Sequence, residues 1–225
     1  MKTRQLACGV LSLSLVFAAC GQEDVVLPDM GGGVSAGECG AWYPGGGGDA
    51  GTGDEFGIEK DKIFPCAVWE SAREGGQDTY INVGDVYLGS KHAESAAKAI
   101  VIVVSARNCP TCGTLMSAIE SIGDEFDAAG AMMIAMARRD LKGNPEDPDF
   151  PISEAELVLD HEGWPVEKWF VINDAEGYLE RTYDVGTPWT IVVDVKSMVV
   201  RSVSNEEFSP SIAGAEKLLQ FVKGF

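Results

Sequence analysis

The 225-residue sequence predicts an α/β domain: a central mixed sheet with helices on both faces, plus an N-terminal β extension. Two apolar runs, residues 98–106 (KAIVIVVSA) and 131–137 (AMMIAMA), are continuous rather than alternating, as strands buried on both faces are. Between them Leu115, Met116, Ile119, Ile122 and Phe126 recur at helical spacing. From residue 98 the element order reads β-α-β-α-β-α-β-β-α. Alternating strands and helices imply a parallel core sheet, and the final β-β-α adds an antiparallel edge.

The elements follow in chain order. Lys2 and Arg4 precede a short apolar stretch at 6–17 and then small residues. This is the pattern of a secretory signal over 1–19, too short for a membrane span. Residues 20–55 read as a flexible tether, because 11 of the 23 residues from 31 to 53 are glycine. Cys39 and the AWY at 41–43 interrupt it, which suits docking of this part on the body. Residues 56–97 form the N-terminal extension of the domain and 98–225 the domain itself. Within the extension, 78–88 alternates around a Gly84-Asp85 turn signal, which reads as a hairpin or one bent strand.

After the strand at 98–106 and one long helix through Phe126, the strand at 131–137 leads into a Pro-rich loop over 138–151. Residues 153–160 read as a helix with Ser153 as N-cap and Glu156 in the capping-box position. Residues 168–172 read as a strand and 175–183 as a short helix. Two further strands, 188–194 and 198–203, flank a Lys196-Ser197 turn. The terminal helix carries Ile212, Ala215, Leu219 and Val222 on one stripe. Trp164, Trp169 and Trp189 are expected in the core, with Trp189 at the border of any site beside Pro188. Arg138 and Arg139 are expected to be solvated at the sheet's C-terminal edge.

The formal charge of −18 argues against a nucleic-acid partner, which needs a phosphate-neutralising basic surface. Of six cysteines, Cys8 lies in the signal and Cys20 at its end. Cys39, Cys66, Cys109 and Cys112 remain, an even number suited to two disulfides in an exported chain. Cys39 and Cys66 read as a structural disulfide pinning the tether to the domain; the alternative is a second redox pair. A metal site is not expected. One CxxC supplies too few ligands, and His92 and His161 stand alone in the sequence.

The stretch SARNCPTCG, residues 105–113, carries the chemistry. A thiol reacts as its thiolate, and Cys109 lies where a strand ends and a helix begins. Unpaired N–H groups and the helix dipole favour negative charge there. Pro110 suits the first helical position, where its missing N–H costs nothing. Cys109 is the candidate nucleophile and Cys112 the resolving thiol. The redox group is then the disulfide itself, and no other cofactor is expected. Exposure of Cys109 separates this reading from that of an inert disulfide on a binding scaffold.

The strand, Ala106, the Cys109-Pro110-Thr111-Cys112 run, the amphipathic helix and the later VGTPWTIVVD together resemble the thioredoxin-like family. The resemblance covers 98–225. It implies a cis peptide at Pro188, lying beside the CxxC, with Thr187, Pro110 and Thr111 contacting substrate. It implies a thiol–disulfide oxidoreductase acting on protein or small-molecule thiols. The long interval from Cys112 to Pro188 resembles the inserted segment of membrane-anchored and periplasmic members, and peroxiredoxins share a similarly enlarged fold. The ending Phe17-Ala18-Ala19-Cys20 resembles the bacterial lipoprotein signal. That implies lipidation at Cys20, a lipid anchor in the bacterial cell envelope and a membrane-located redox partner. Three positions depart from the family. Asn108 replaces the usual Trp, Val103 replaces a buried acid, and the inner dipeptide is Pro-Thr. Peroxiredoxins place a Thr and a Pro where this chain has Ala106 and Ile102, which argues against peroxide chemistry.

Overall fold

The structure, a computed structural model, describes residues 43–44, 55–92, 97–138, 151–173, 179, 187–204 and 207–225. The expected signal, Cys20, Cys39, Arg139 and the expected helix at 175–183 (Leu179 excepted) lie outside the described residues. So do most of the tether and of the Pro-rich loop.

The extension opens with a hairpin, β1 (Val68–Glu74) and β2 (Gln77–Asn82), turning at Gly75-Gly76. Both glycines have positive φ, which L side chains adopt only at a cost. The second half of the expected hairpin or bent strand is instead a helix, α1 (Val83–His92). The Asn82 side-chain oxygen accepts the Gly84 N–H at 2.9 Å. That is an N-cap contact, and it starts a helix where alternation alone suggested strand.

Strand β3 (Ala99–Ala106) is buried at every position, as its unbroken apolar run predicts. It leads to α2 (Pro110–Glu120), α3 (Gly123–Ala128) and the parallel strand β4 (Ala131–Arg138). The single helix expected here breaks at Ser121-Ile122. A Cβ on Gly123 would stand 3.1 Å from the Trp169 ring, so the chain bends over that indole. Then come α4 (Ile152–His161), β5 (Phe170–Ile172), β6 (Trp189–Asp194), β7 (Val199–Ser204) and α5 (Ile212–Val222).

Helix α4 does not use the expected capping box. Its N-cap is Pro151, Ser153 lies within the first turn, and Glu156 reaches sideways to Arg73. In α5, Ser211 caps Gly214 N–H at 3.1 Å. Ile212 is 58 % exposed rather than on the core stripe, and Leu218 joins Ala215, Leu219 and Val222 in the core.

The strand order is β2-β1-β5-β4-β3-β6-β7. β3, β4 and β5 run parallel, and β1, β2, β6 and β7 form antiparallel pairs outside them. Alternate residues of β3 serve two cores. Val101 and Val103 face α2 to α5, packed with Leu115, Ile119, Phe126, Leu159, Trp164, Trp169 and Leu219. Ile100, Ile102 and Val104 face the other side, where they cluster with Trp69 of β1, with Val83 and Tyr87 of α1 and with Phe64 from the segment before β1. Tyr43, from the Gly-rich stretch, is buried on this second face, donates to Phe64 O at 2.8 Å and meets Tyr87 edge-on.

Trp164 and Trp169 are core residues, whereas Trp189 is only partly buried. Arg138 corrects an expectation, being fully buried rather than solvated. It ends β4 opposite Ala106, inside the sheet edge rather than beyond it.

Candidate active site

The site forms where β3 ends. Arg107 N–H still reaches Arg138 O on β4, at 2.9 Å, and Cys109 N–H turns back to Ala106 O at 3.1 Å. Between them Asn108 takes φ 61°, a left-handed conformation that Asn tolerates better than bulkier residues. The turn delivers Cys109 to the N-cap of α2, with Pro110 as the first helical residue. Cys109 and Cys112 are joined in a disulfide, Cα atoms 5.2 Å apart.

Three polar hydrogens converge on the Cys109 sulfur. The Cys112 backbone N–H donates to it at 3.2 Å, as the cap of α2. Thr187 Oγ1 donates at 3.4 Å, and the Thr111 hydroxyl lies 3.3 Å away. Thr187 arrives through the register of β6, in which Trp189 pairs with Val104 near the end of β3. The Thr187–Pro188 peptide is cis, and Pro188 is buried. Pro110 and Thr111 are exposed at the mouth of the site. The sulfur chemistry, the cis proline and its preceding threonine, 78 positions from Cys109 in sequence, therefore meet in one place.

Cys109 is 4 % exposed and Cys112 fully buried. The first value is lower than expected of an exchanging cysteine. The threonine hydroxyls and the helix start close around the sulfur in its oxidised state. Of the two, Cys109 is the one that faces the groove described below.

One candidate residue escaped the sequence reading. Glu162, the C-cap of α4, is buried, and its carboxylate accepts the hydroxyl of Ser105 from β3. Burial pushes its pKa above the ordinary carboxyl value. Hydrogen bonds from Ser105 and the Cys109 backbone, and the nearby His161, oppose that shift. Val103, the position of the missing acid, points into the helical core, and Glu162 brings a carboxyl to the CxxC from a different element. Its placement is tight. Gly163, at φ 88°, leaves room for Ser117 of α2, and a Cβ there would stand 2.5 Å from the serine Oγ. A glutamate at the negative end of a helix dipole is unfavourable, and this was the only trace in the sequence.

A groove of about 920 Å³ opens between α2 and α4, with Cys109 in its wall and Glu162-Gly163 beside it. Ser105 spends its hydroxyl on Glu162, and Ala106 offers none to the Cys109 sulfur. Cys66 is buried and disulfide-bonded on the opposite face of the sheet, in a separate cluster from Cys109 and Cys112. Cys39 lies outside the described residues. Among the described residues, no three His, Cys, Asp or Glu side chains gather as metal ligands do. His161 is exposed on the groove wall.

No family model matches the chain, and no curated protein matches it. Solved structures do. Thioredoxin peroxidase I of Plasmodium yoelii is 14 % identical with a TM-score of 0.49, covering 71 % of this chain and 87 % of its own. The MTB dsbF structure, in mixed oxidized and reduced forms, is 17 % identical with a TM-score of 0.44, over 65 % and 88 % of the two chains. A thiol:disulfide interchange protein from Bacteroides sp. is 12 % identical with a TM-score of 0.47, over 74 % and 90 %. The chain's own topology is decisive. A parallel pair β3-β4 and a terminal β6-β7-α5 unit join in the order β4-β3-β6-β7, with the CxxC after β3 and the cis proline before β6. That arrangement is a thioredoxin-like fold.

Proposed function

We propose that the protein is a thiol–disulfide oxidoreductase that works outside the cytoplasm through Cys109 and Cys112. The observation that carries this reading is the convergence of three donors on the Cys109 sulfur at a helix N-terminus. Such donors favour the thiolate over the thiol.

In the reduced state the Cys109 thiolate attacks one sulfur of a substrate disulfide. A mixed disulfide forms and one substrate thiolate leaves. Cys112, losing its proton, then attacks the Cys109 sulfur and expels the second substrate thiolate. The substrate gains two electrons and Cys109–Cys112 becomes the disulfide. The reverse sequence oxidises a dithiol. Glu162 is the acceptor for the proton that the pair releases, since a carboxyl of raised pKa is a stronger base than an ordinary one. Turnover needs a redox partner that restores the pair, and we place that partner in the membrane. The signal-like N-terminus supports anchoring through lipidated Cys20 in a bacterial cell envelope. Acyl burial there contributes roughly 0.8 kcal/mol per CH₂.

A second reading rests on the 4 % exposure of Cys109: an inert disulfide on a binding scaffold. Insulin reduction with dithiothreitol as electron source separates the two. Wild type is expected to accelerate it, Cys109→Ser to fall to the uncatalysed rate, and Cys112→Ser to accumulate a mixed disulfide. Equal rates for wild type and Cys109→Ser would establish the inert reading. A reduction potential near about −270 mV marks a reductant and one near about −120 mV an oxidant. Cys20→Ser is expected to release the protein from the membrane fraction.

A further inference from the structure

Building on the oxidoreductase reading, we infer that the groove between α2 and α4 selects protein substrates. The preferred segment carries a basic and an apolar residue beside its reacting cysteine, and anionic small disulfides such as oxidised glutathione are disfavoured. Two features of α4 point this way, and both adjoin Cys109.

The first is apolar. Residues Glu154, Leu157, Val158 and His161 fall at spacings of three and four along α4 and line the groove. Ala155 and Leu159, on the helix's other side, fill the core. Leu157 is 69 % exposed in the groove wall. Opposite it, α2 offers the exposed ring of Pro110, while Gly113 lets the Glu162 backbone pack close, a Cβ there standing 3.5 Å from the Glu162 carbonyl oxygen. A protein segment with an apolar side chain covers Leu157. Glutathione has almost no apolar surface with which to do so.

The second is charge. Glu154, Asp160 and Glu162 line the groove against a single guanidinium, Arg107, which is already engaged with Glu154 at 3.8 Å. The whole chain carries −18, so the field outside the groove has the same sign as its wall. Like charge steers anionic thiols away and draws basic segments in.

The test uses the full-length protein and a panel of short peptide disulfides that differ only in the residue flanking the cysteine. Lysine, serine and glutamate are compared, each with and without a neighbouring leucine, alongside oxidised glutathione. The readout is the ratio of kcat/KM between two substrates for one protein preparation, so partial folding of a variant cancels. At low salt the Lys peptide is expected to exceed the Glu peptide by about tenfold, and the ratio to shrink towards one in 0.5 M salt. Glu154→Lys with Asp160→Lys should invert the order. Leu157→Ser should erase the advantage of the leucine-bearing peptide, through KM. Equal kcat/KM for Lys and Glu peptides, or glutathione turned over as fast as the peptides, would overturn the inference while leaving the oxidoreductase reading standing. Failure of wild type to exchange with any substrate overturns both.

Discussion

Helix α4 and its C-cap carry two glutamates in contrasting settings, Glu156 part-buried and Glu162 buried. Glu156 bonds to Arg73 of β1, which is also held by Asp78 at 2.8 Å. Six residues on, Glu162 meets no such guanidinium among the described residues. It takes a neutral hydroxyl from Ser105 and lies against the Cys109 backbone. The first is an ion pair between neighbouring elements near the hairpin, and the second is a carboxyl left half-ready to hold a proton. At Glu162 burial raises the pKa, and the Ser105 and Cys109 hydrogen bonds and the nearby His161 only partly offset it. One helix thus ties to the hairpin at its middle and brings a carboxyl beside the CxxC at its C-terminus.

The largest expected effect breaks the Glu162 side of that contrast. Glu162→Gln keeps the shape and the Ser105 contact but cannot accept a proton. Exchange should slow by about 10- to 100-fold, and the acid limb of the pH profile should lose its inflection, because a base is silenced when it is protonated. An unchanged profile in stopped-flow thiol exchange would make Glu162 a packing residue like any other.

Next in size is the seat of Glu162. Gly163→Ala forces a Cβ into Ser117 at a positive φ and should cost about 1–3 kcal/mol in urea unfolding. Gly163→Ala combined with Ser117→Ala should recover the steric part. Full retention of stability by the single variant would show that α4 does not register against α2 through this contact.

A smaller effect concerns pH and stability. The folded-state pKa of Glu162 lies above its ordinary value of 4.5, chiefly through burial. Folding therefore favours the protonated form. The contribution is full below the unfolded value and is lost as pH rises through the folded one. Wild type should lose stability relative to Glu162→Gln as the pH rises above about 4.5, measured by denaturant midpoints. Parallel curves would contradict the assignment. The smallest effect belongs to Glu156→Gln. A surface-proximal ion pair contributes little, so the melting temperature should drop by a few degrees at most and exchange should be unaffected.

Much of the fold was legible because it rests on long apolar runs. Residues 98–106 read as a strand buried on both faces, and the β-β-α ending followed from two short runs and a striped helix. The CxxC and the GTP at 186–188 were visible as local words. What escaped were features decided by distant partners. α1 looked like strand until Asn82 capped it. Where α3 begins, Gly123 packs against the ring of Trp169, far along the chain. Arg138 looked solvent-bound but ends β4 inside the sheet edge. Glu162 lies 57 positions from its hydroxyl partner. No motif joins the two, and only a carboxyl at the unfavourable end of a helix hinted at it.

The Cys109 sulfur is also the cap of α2, and this links two quantities usually measured apart. A cap that accepts more strongly as thiolate than as disulfide stabilises the folded reduced protein more than the folded oxidised one. Reduction, folding, oxidation and unfolding close a thermodynamic cycle. The gap in unfolding free energy between the two redox forms must therefore equal the shift of the folded pair's potential from that of the unfolded chain. About 1.4 kcal/mol of extra stability in the reduced form corresponds to about 30 mV. In a Cys66→Ala variant, which removes the second disulfide from the comparison, two denaturation curves, one with and one without reductant, would thus read out how far the fold shifts the potential of this pair, with no substrate present.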